Sequence, residues 1–420
     1  MPQVPSLRKN IASLYAVQMA SYLAPLVTLP WLTRVLGPAG FGQLSFCGAV
    51  ISYFVLFADY GFNYSATRQI ALHYGDRAGR SKVFWNTITV KGLLAIAGFP
   101  CLLALTLCVD RFAADRSLLL INYLTVLGTV LTPTWYFQGT ERQTVLSGIT
   151  IVVRVVSIPA TFLLVRSSRD LHLAVLISSS LPVVGGMLCL AFLFRDKQLD
   201  AMQVRRADLA TVFREGWHLF VSTASISLYG ATNTVLLGLV AGDAAVGHYS
   251  AAEKLVQAAQ GLLVPINQSV YPRVSRLLQE SRDTAFALIR KVLRVQGAIA
   301  LTLSLFLFVV APMLIRIYIG PAYEETISVL RWLAFLPFLV GLSNVLGVHT
   351  MLAIGMNKIV SQILVTAGAF NVLLLLILTR WYGAVGAAMA VVATEFFVTV
   401  TMAAVLTRRN VPVFRVPAAT

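Results

Sequence analysis

The chain has 420 residues, 58% of them hydrophobic and only 12% charged, and a formal net charge of +16. Soluble domains carry about 25% charged residues, so a water-soluble enzyme is excluded and a chain threaded repeatedly through a bilayer is implied. Membrane topology accounts for most of the positive charge, and no nucleic-acid partner is needed to explain it.

Apolar runs long enough to cross a bilayer recur from end to end. Twelve are read at 11–35, 41–62, 83–108, 117–137, 144–165, 171–194, 216–240, 244–270, 289–315, 326–349, 358–379 and 384–407. The first contains Gln18, Pro25 and Pro30 and is too long for the apolar core of a cleaved leader, so it is read as a retained helix. None of the intervals between runs is long enough to bury a core of its own, which excludes a large extramembrane catalytic domain.

Lys and Arg concentrate in alternate intervals. If the N-terminus is cytoplasmic, 22 of them lie on that face, chiefly in 68–82, 195–214 and 273–294, against 7 on the other. Both termini are therefore expected in the cytoplasm. The 273–294 interval is basic enough to touch anionic lipid headgroups. Cys47, Cys101, Cys108 and Cys189 lie in or at the ends of apolar runs without C-x-x-C spacing, and are expected to be buried packing residues. The histidines at 73, 172, 218, 248 and 349 have no metal-ligand spacing, so neither a metal nor a cofactor is expected.

The stretch LGPAGFGQLS at 36–45 has an echo in AGDAAVGHYS at 241–250, which pairs Gly37 with Gly242, Gly42 with Gly247 and Ser45 with Ser250. FQGTER at 137–142 is echoed by AIGMNK at 353–358, which pairs Gly139 with Gly355 and Arg142 with Lys358. Two ordered landmarks imply a duplicated six-helix unit, residues 1–200 and 201–420, with parallel repeats. The glycines at 37–42 follow an apolar membrane run rather than a strand, so they are read as a turn and not as a phosphate-binding loop.

Ionisable groups inside apolar runs are costly and tend to face a cavity. Lys91, Arg154 and Lys254 fall near the midplane of runs three, five and eight. At 100° per residue Ser147, Thr150, Arg154, Ser157 and Thr161 share one face of run five, and Ser250, Lys254, Gln257, Gly261 and Gln268 share one face of run eight. Arg331 lies about a turn inside run ten beside Phe335 and Phe338, where it either faces the cavity or snorkels to the interface. The acids are fewer: Glu253, which points away from Lys254, and Asp59 and Glu395, which are candidates for ion coupling or for pairing with a nearby cation. This excess of cations suits an anionic substrate, with phosphate the first candidate. Prolines in or near the runs, among them Pro25, Pro30, Pro133, Pro159 and Pro182, would bend the helices.

The run FADYGFNYSATRQIA at 57–71 resembles the Wzx-type polysaccharide flippases of the multidrug/oligosaccharidyl-lipid/polysaccharide exporter superfamily. So do VLGPAGFGQLSF, WYFQGTER at 135–142, VGHYSAAEKLVQA at 246–258 and VPINQSVYPRVS at 264–275. The resemblance runs from Arg8 to about residue 407. It implies an all-α polytopic membrane protein with twelve helices, in two pseudo-symmetric six-helix lobes around a central cationic cavity. It also implies transfer of an undecaprenyl-pyrophosphate-linked glycan across the bacterial inner membrane for O-antigen or exopolysaccharide synthesis, without enzymatic activity and alongside polysaccharide polymerase machinery. Lys254 and Arg142 occupy motif positions and become substrate-contact candidates with Arg154, Lys91, Gln257, Gln268 and Arg331. Two alternatives stand beside it. A cation-coupled multidrug exporter would favour an acidic cavity, and an integral-membrane polymerase or glycosyltransferase would need a longer periplasmic loop.

Overall fold

The computed structural model describes residues 7–202 and 204–414, with side chains from residue 25 onward apart from 206, 215, 218, 219 and 221–229. Arg415 and the side chains of Arg8, Lys9 and His218 lie outside these. Among the described residues every regular element is a helix. A backbone surrounded by hydrocarbon must satisfy its polar groups internally, and a helix does so within one segment. Nine helical stretches among them are long and apolar enough to cross a membrane.

The chain divides into two compact units, Met1–Val235 and Leu236–Thr420. The first contains α1 (Leu7–Asp59), α2 (Phe62–Leu72), α3 (Arg77–Cys108), α4 (Asp110–Ala114), α5 (Arg116–Asn122), α6 (Leu124–Leu131), α7 (Thr134–Gly139), α8 (Gln143–Leu164), α9 (Leu171–Arg195) and the first half of α10 (Arg206–Gly261). The second contains the rest of α10, then α11 (Val264–Glu280), α12 (Arg282–Met313), α13 (Thr326–Leu333), α14 (Leu336–Leu346) and α15 (Asn357–Arg408). The unit boundary falls inside α10, later than the 200/201 repeat boundary read from sequence. The reason is packing: Tyr60 stacks on Phe213 and Phe220 with centroids 4.6 and 4.9 Å away, and Lys82 pairs with Asp208 at 2.9 Å.

Three long helices are each two helices joined at a glycine: α1 at Gly37, α10 at Gly242 and α15 at Gly383. Gly37 (φ 67°, ψ 177°) and Gly242 (φ 81°, ψ −177°) share one backbone conformation, which a side chain essentially forbids. The first sequence echo is therefore repeated as geometry. The second echo needs a shift of register. Helix α7 ends on left-handed Glu141, with Arg142 N–H donating to the Phe137 carbonyl at 2.8 Å. The segment ahead of α15 ends on left-handed Gly355, with Met356 N–H donating to the Met351 carbonyl at 2.8 Å. These are the same helix-ending bond pattern, so Gly355 matches Glu141 and not Gly139. Gly139 is instead a close-approach site: a Cβ there would lie 2.7 Å from Ile70 and 2.8 Å from the Thr67 carbonyl. A third pair was hidden in the sequence. Lys197 and Asn410 are both left-handed, and the next N–H donates to Leu193 and Leu406 carbonyls at 3.0 Å in each case.

The resemblance motifs at 57–71 and 135–142 form one buried knot. Tyr60, Phe62, Trp135, Tyr136 and Phe137 are fully buried around Phe84, and Thr134 Oγ1 donates to Asn63 Oδ1 at 2.6 Å. In the second unit Phe286, Ile289, Val345, Met351, Ile363, Met402 and Leu406 make the corresponding apolar core. Cys47 and Cys189 are buried as expected, but Cys101 and Cys108 are exposed on α3. A thiol behaves as a small hydrophobe, so a lipid-facing position suits it equally well.

A hydroxyl-lined cavity

Helix α8 has two unlike faces. Val152, Val155, Val156 and Leu163 are more than half exposed on one side, as a lipid-facing surface would be. On the other, Thr150, Arg154, Ser157 and Thr161 line a cavity of roughly 540 Å³ inside the first unit. A hydroxyl in hydrocarbon without a partner is costly, so the polar stripe turns inward. The opposing walls come from α1 (Thr28, Asp59), α2 (Asn63), α9 (Ser178, Pro182) and the broken fourth run (Thr129, Thr132, Thr134).

That break follows from Pro133. Thr132 is extended, separating α6 from α7, and Pro133 has no N–H to donate to the carbonyl of Thr129 four residues earlier. Lys91 supplies the missing donor. Its Nζ lies 2.9 Å from the Thr129 carbonyl and 2.7 Å from Asp59 Oδ1. Lys91 itself is 1% exposed while Asp59, at 24%, faces the cavity. The two candidates chosen from sequence for different roles, cation and coupling acid, thus neutralise each other and pin two broken helices.

The remaining candidates are dispersed. Arg142 does not line the cavity; its Nη1 pairs with Asp196 at 2.6 Å in a half-exposed bridge between the ends of α7 and α9. A motif position had suggested substrate contact, whereas the arginine closes the helix-ending turn. Lys254 is exposed on α10, with Gln257 half-buried beside it and bonded to Glu253. Gln268 does not continue that face, because α10 ends at Gly261 and α11 begins at Val264, and the interruption destroys the 100° phase. Arg331 is exposed with its guanidinium 5.4 Å from the centre of the Phe308 ring, a cation–π contact. Glu395 is half-buried on α15. Among the described residues no group of three or more His, Cys, Asp or Glu is placed to hold a metal ion.

Sequence reasoning missed Asn63, Thr129, Thr132, Thr134 and Ser178 as cavity residues. The signal available was Thr-Pro-Thr at 132–134, where a proline in an apolar run frees backbone groups that polar neighbours must answer. It also missed a partly buried polar cluster in the second unit. Asn267 Oδ1 accepts from Gln296 Nε2 at 2.9 Å and lies 3.1 Å from His349 Nε2, three residues from three helical segments.

Residues 7–278 match the family model described as polysaccharide biosynthesis protein. The chain belongs to this family. A relative from Escherichia coli (strain K12), named for O-antigen transport, is 36% identical over 394 residues, covering 94% of this chain and 95% of its own. Another of the same name from Shigella dysenteriae is 31% identical over 400 residues, covering 94% and 99%. Among solved structures, the lipid II flippase MurJ in an inward closed conformation aligns with a TM-score of 0.69 at 15% identity, over 94% of this chain and 87% of that one. An outward-facing multidrug resistance MATE family transporter of the MOP superfamily aligns at 0.58 and 17% identity, over 95% and 94%. At such identities these likenesses speak for the fold, which is that of MurJ and the MATE transporters.

Proposed function

We propose that this family member is a transporter rather than an enzyme, and that it moves lipid-linked oligosaccharide units across the bacterial inner membrane for O-antigen synthesis. The observation that carries the reading is the 36% identity, sustained over 94% of the chain, to a protein named for O-antigen transport. The cavity agrees with it, because a lipid-linked glycan needs a polar path for its sugars while its hydrocarbon tail stays in the bilayer.

In this reading the nine apolar stretches and the three glycine joints correspond to twelve spans in two six-helix repeats, 1–200 and 201–420, with both termini cytoplasmic. The repeated joints at Gly37 and Gly242 and the repeated turns at Glu141/Gly355 and Lys197/Asn410 support the duplication. The carrier is undecaprenyl pyrophosphate, and the repeats alternate access to the two faces. Lys254 in the second unit is the cation proposed to meet the anionic part of the substrate, and Arg154 in the first is proposed as a substrate contact within the cavity. Asp59 and Glu395 are the acids proposed for ion coupling, and the polymerase is proposed as the partner that receives the exported units.

The test is deletion of the gene followed by leaflet-resolved analysis of lipid-linked oligosaccharide. Accumulation on the cytoplasmic leaflet, relieved by the full chain, is expected. Unchanged surface polysaccharide in the deletion strain would overturn the assignment.

A further inference from the structure

Eight hydroxyl side chains line the cavity of the first unit. What each can offer a ligand depends on where its single O–H already points. On α8, Thr150, Ser157 and Thr161 donate to the carbonyls of Leu146, Arg154 and Ser157 at 2.7–2.8 Å. Across the cavity Thr129 and Thr132 donate to Thr125 and Gly128 carbonyls at 2.9 Å. Thr28 and Ser178 do the same toward Pro25 and Val175 at 3.2 and 2.9 Å. The eighth, Thr134, donates to Asn63 Oδ1 at 2.6 Å. A carbonyl oxygen can only accept, so the direction of the first seven bonds is unambiguous.

With every hydroxyl proton turned to the wall, the oxygens present lone pairs to the cavity. Asp59 adds a carboxylate, already bonded to Lys91 through Oδ1. Donors are few: the Arg154 guanidinium and the amide N–H₂ of Asn63, whose own oxygen is occupied by Thr134. The cavity is thus a field of acceptors with two donor points.

Phosphate oxygens are acceptors and would find this field repulsive, whereas sugar hydroxyls and acetamido N–H groups are donors. Resting on the transport reading above, we infer that this cavity holds sugar residues of the glycan by accepting their hydroxyl and amide protons, and that the pyrophosphate is held elsewhere. The expectation of a cationic, phosphate-holding cavity is replaced, for this cavity, by one selective for neutral donors.

The test uses the purified full chain in lipid nanodiscs and saturation-transfer NMR. The probes are the methyl glycosides of N-acetylglucosamine, mannose and galactose, with inorganic pyrophosphate as competitor. Thr150→Val with Thr161→Val removes two acceptors while leaving no donor stranded, since the lost O–H groups served only their own helix. At least one glycoside is expected to bind in the millimolar range without displacement by pyrophosphate. The double variant should weaken it about tenfold, the size of two ordinary hydrogen bonds. Should that variant fail to fold, Ser157→Ala with Ser178→Ala probes the same field. Failure of all three glycosides to bind, displacement by pyrophosphate, or wild-type binding by a folded double variant would overturn the inference. Loss of export on deletion with any of those results removes only this inference. Glycoside binding with unchanged surface polysaccharide on deletion removes the transport reading instead.

Discussion

The ammonium of Lys91 lies 2.7 Å from Asp59 Oδ1, and Lys91 is only 1% exposed. The pair joins α3 to the end of α1, and the same ammonium holds the Thr129 carbonyl that Pro133 leaves open. Removing one partner of a buried pair strands the other charge, a loss of about 3–5 kcal/mol. Lys91→Met should therefore unfold markedly earlier than wild type, and Asp59→Asn likewise. Lys91→Met combined with Asp59→Asn should recover much of the loss, because no charge is left buried, although the Thr129 carbonyl remains unanswered. Thermal unfolding of the four proteins in detergent forms the cycle; additive single losses would contradict the pairing as the source of stability.

Gly37 and Gly242 occupy a backbone region that a Cβ makes unfavourable by about 1–3 kcal/mol. Neither position has an atom within 4 Å of an added Cβ, so the penalty is conformational and not steric. Gly37→Ala and Gly242→Ala should each lower the unfolding temperature. Gly48→Ala, in an equally open site within a regular helix, should be neutral or slightly stabilising. Equal behaviour of all three would contradict the kinked geometry.

The helical membrane architecture was legible in the sequence because it rests on length and hydropathy, and the first echo because both of its stretches need a glycine for the same torsions. The register of the second echo was not legible, since the left-handed position is Glu141 in one stretch and Gly355 in the other. Identity of letters pointed to Gly139, which is kept small by Ile70 instead. For the cavity, the face of α8 could be computed from 100° steps because that helix is continuous. The stripe through Gln268 could not, because the turn between α10 and α11 leaves no periodicity signal. Nor does any one-dimensional pattern reveal that Lys91 and Asp59, 32 residues apart, meet.

Packing of α6 on α9 depends on small residues. A Cβ on Gly128 would lie 2.5 Å from the backbone of Pro182 and Val183, and one on Gly186 would lie 2.6 Å from Leu131. In a bilayer, where tails are as apolar as side chains, such close backbone approach is a main source of helix association. Gly128→Val should cost about 1–3 kcal/mol through overpacking and displace a cavity wall that carries Thr129 and Thr132. Reduced thermal stability together with faster alkylation of Cys189, 1% exposed on α9, is the expected signature.

Arg142 and Arg154 separate two explanations of the basic residues. Arg142 holds Asp196 in a bridge whose side chains are 39% and 45% exposed, and such surface pairs contribute about 0.2–1 kcal/mol. Arg154 lines the cavity as one of its two donor points. Arg142→Gln should then leave surface polysaccharide within about twofold of wild type, since a tenfold change would need about 1.4 kcal/mol. Arg154→Gln should reduce it far more, while the protein still inserts. Immunoblots of the membrane fraction and of surface polysaccharide distinguish these outcomes. A severe export defect in Arg142→Gln with normal insertion would return that arginine to the substrate path. Wild-type export by Arg154→Gln would remove the cation from the cavity's function and leave its hydroxyl field to account for recognition alone.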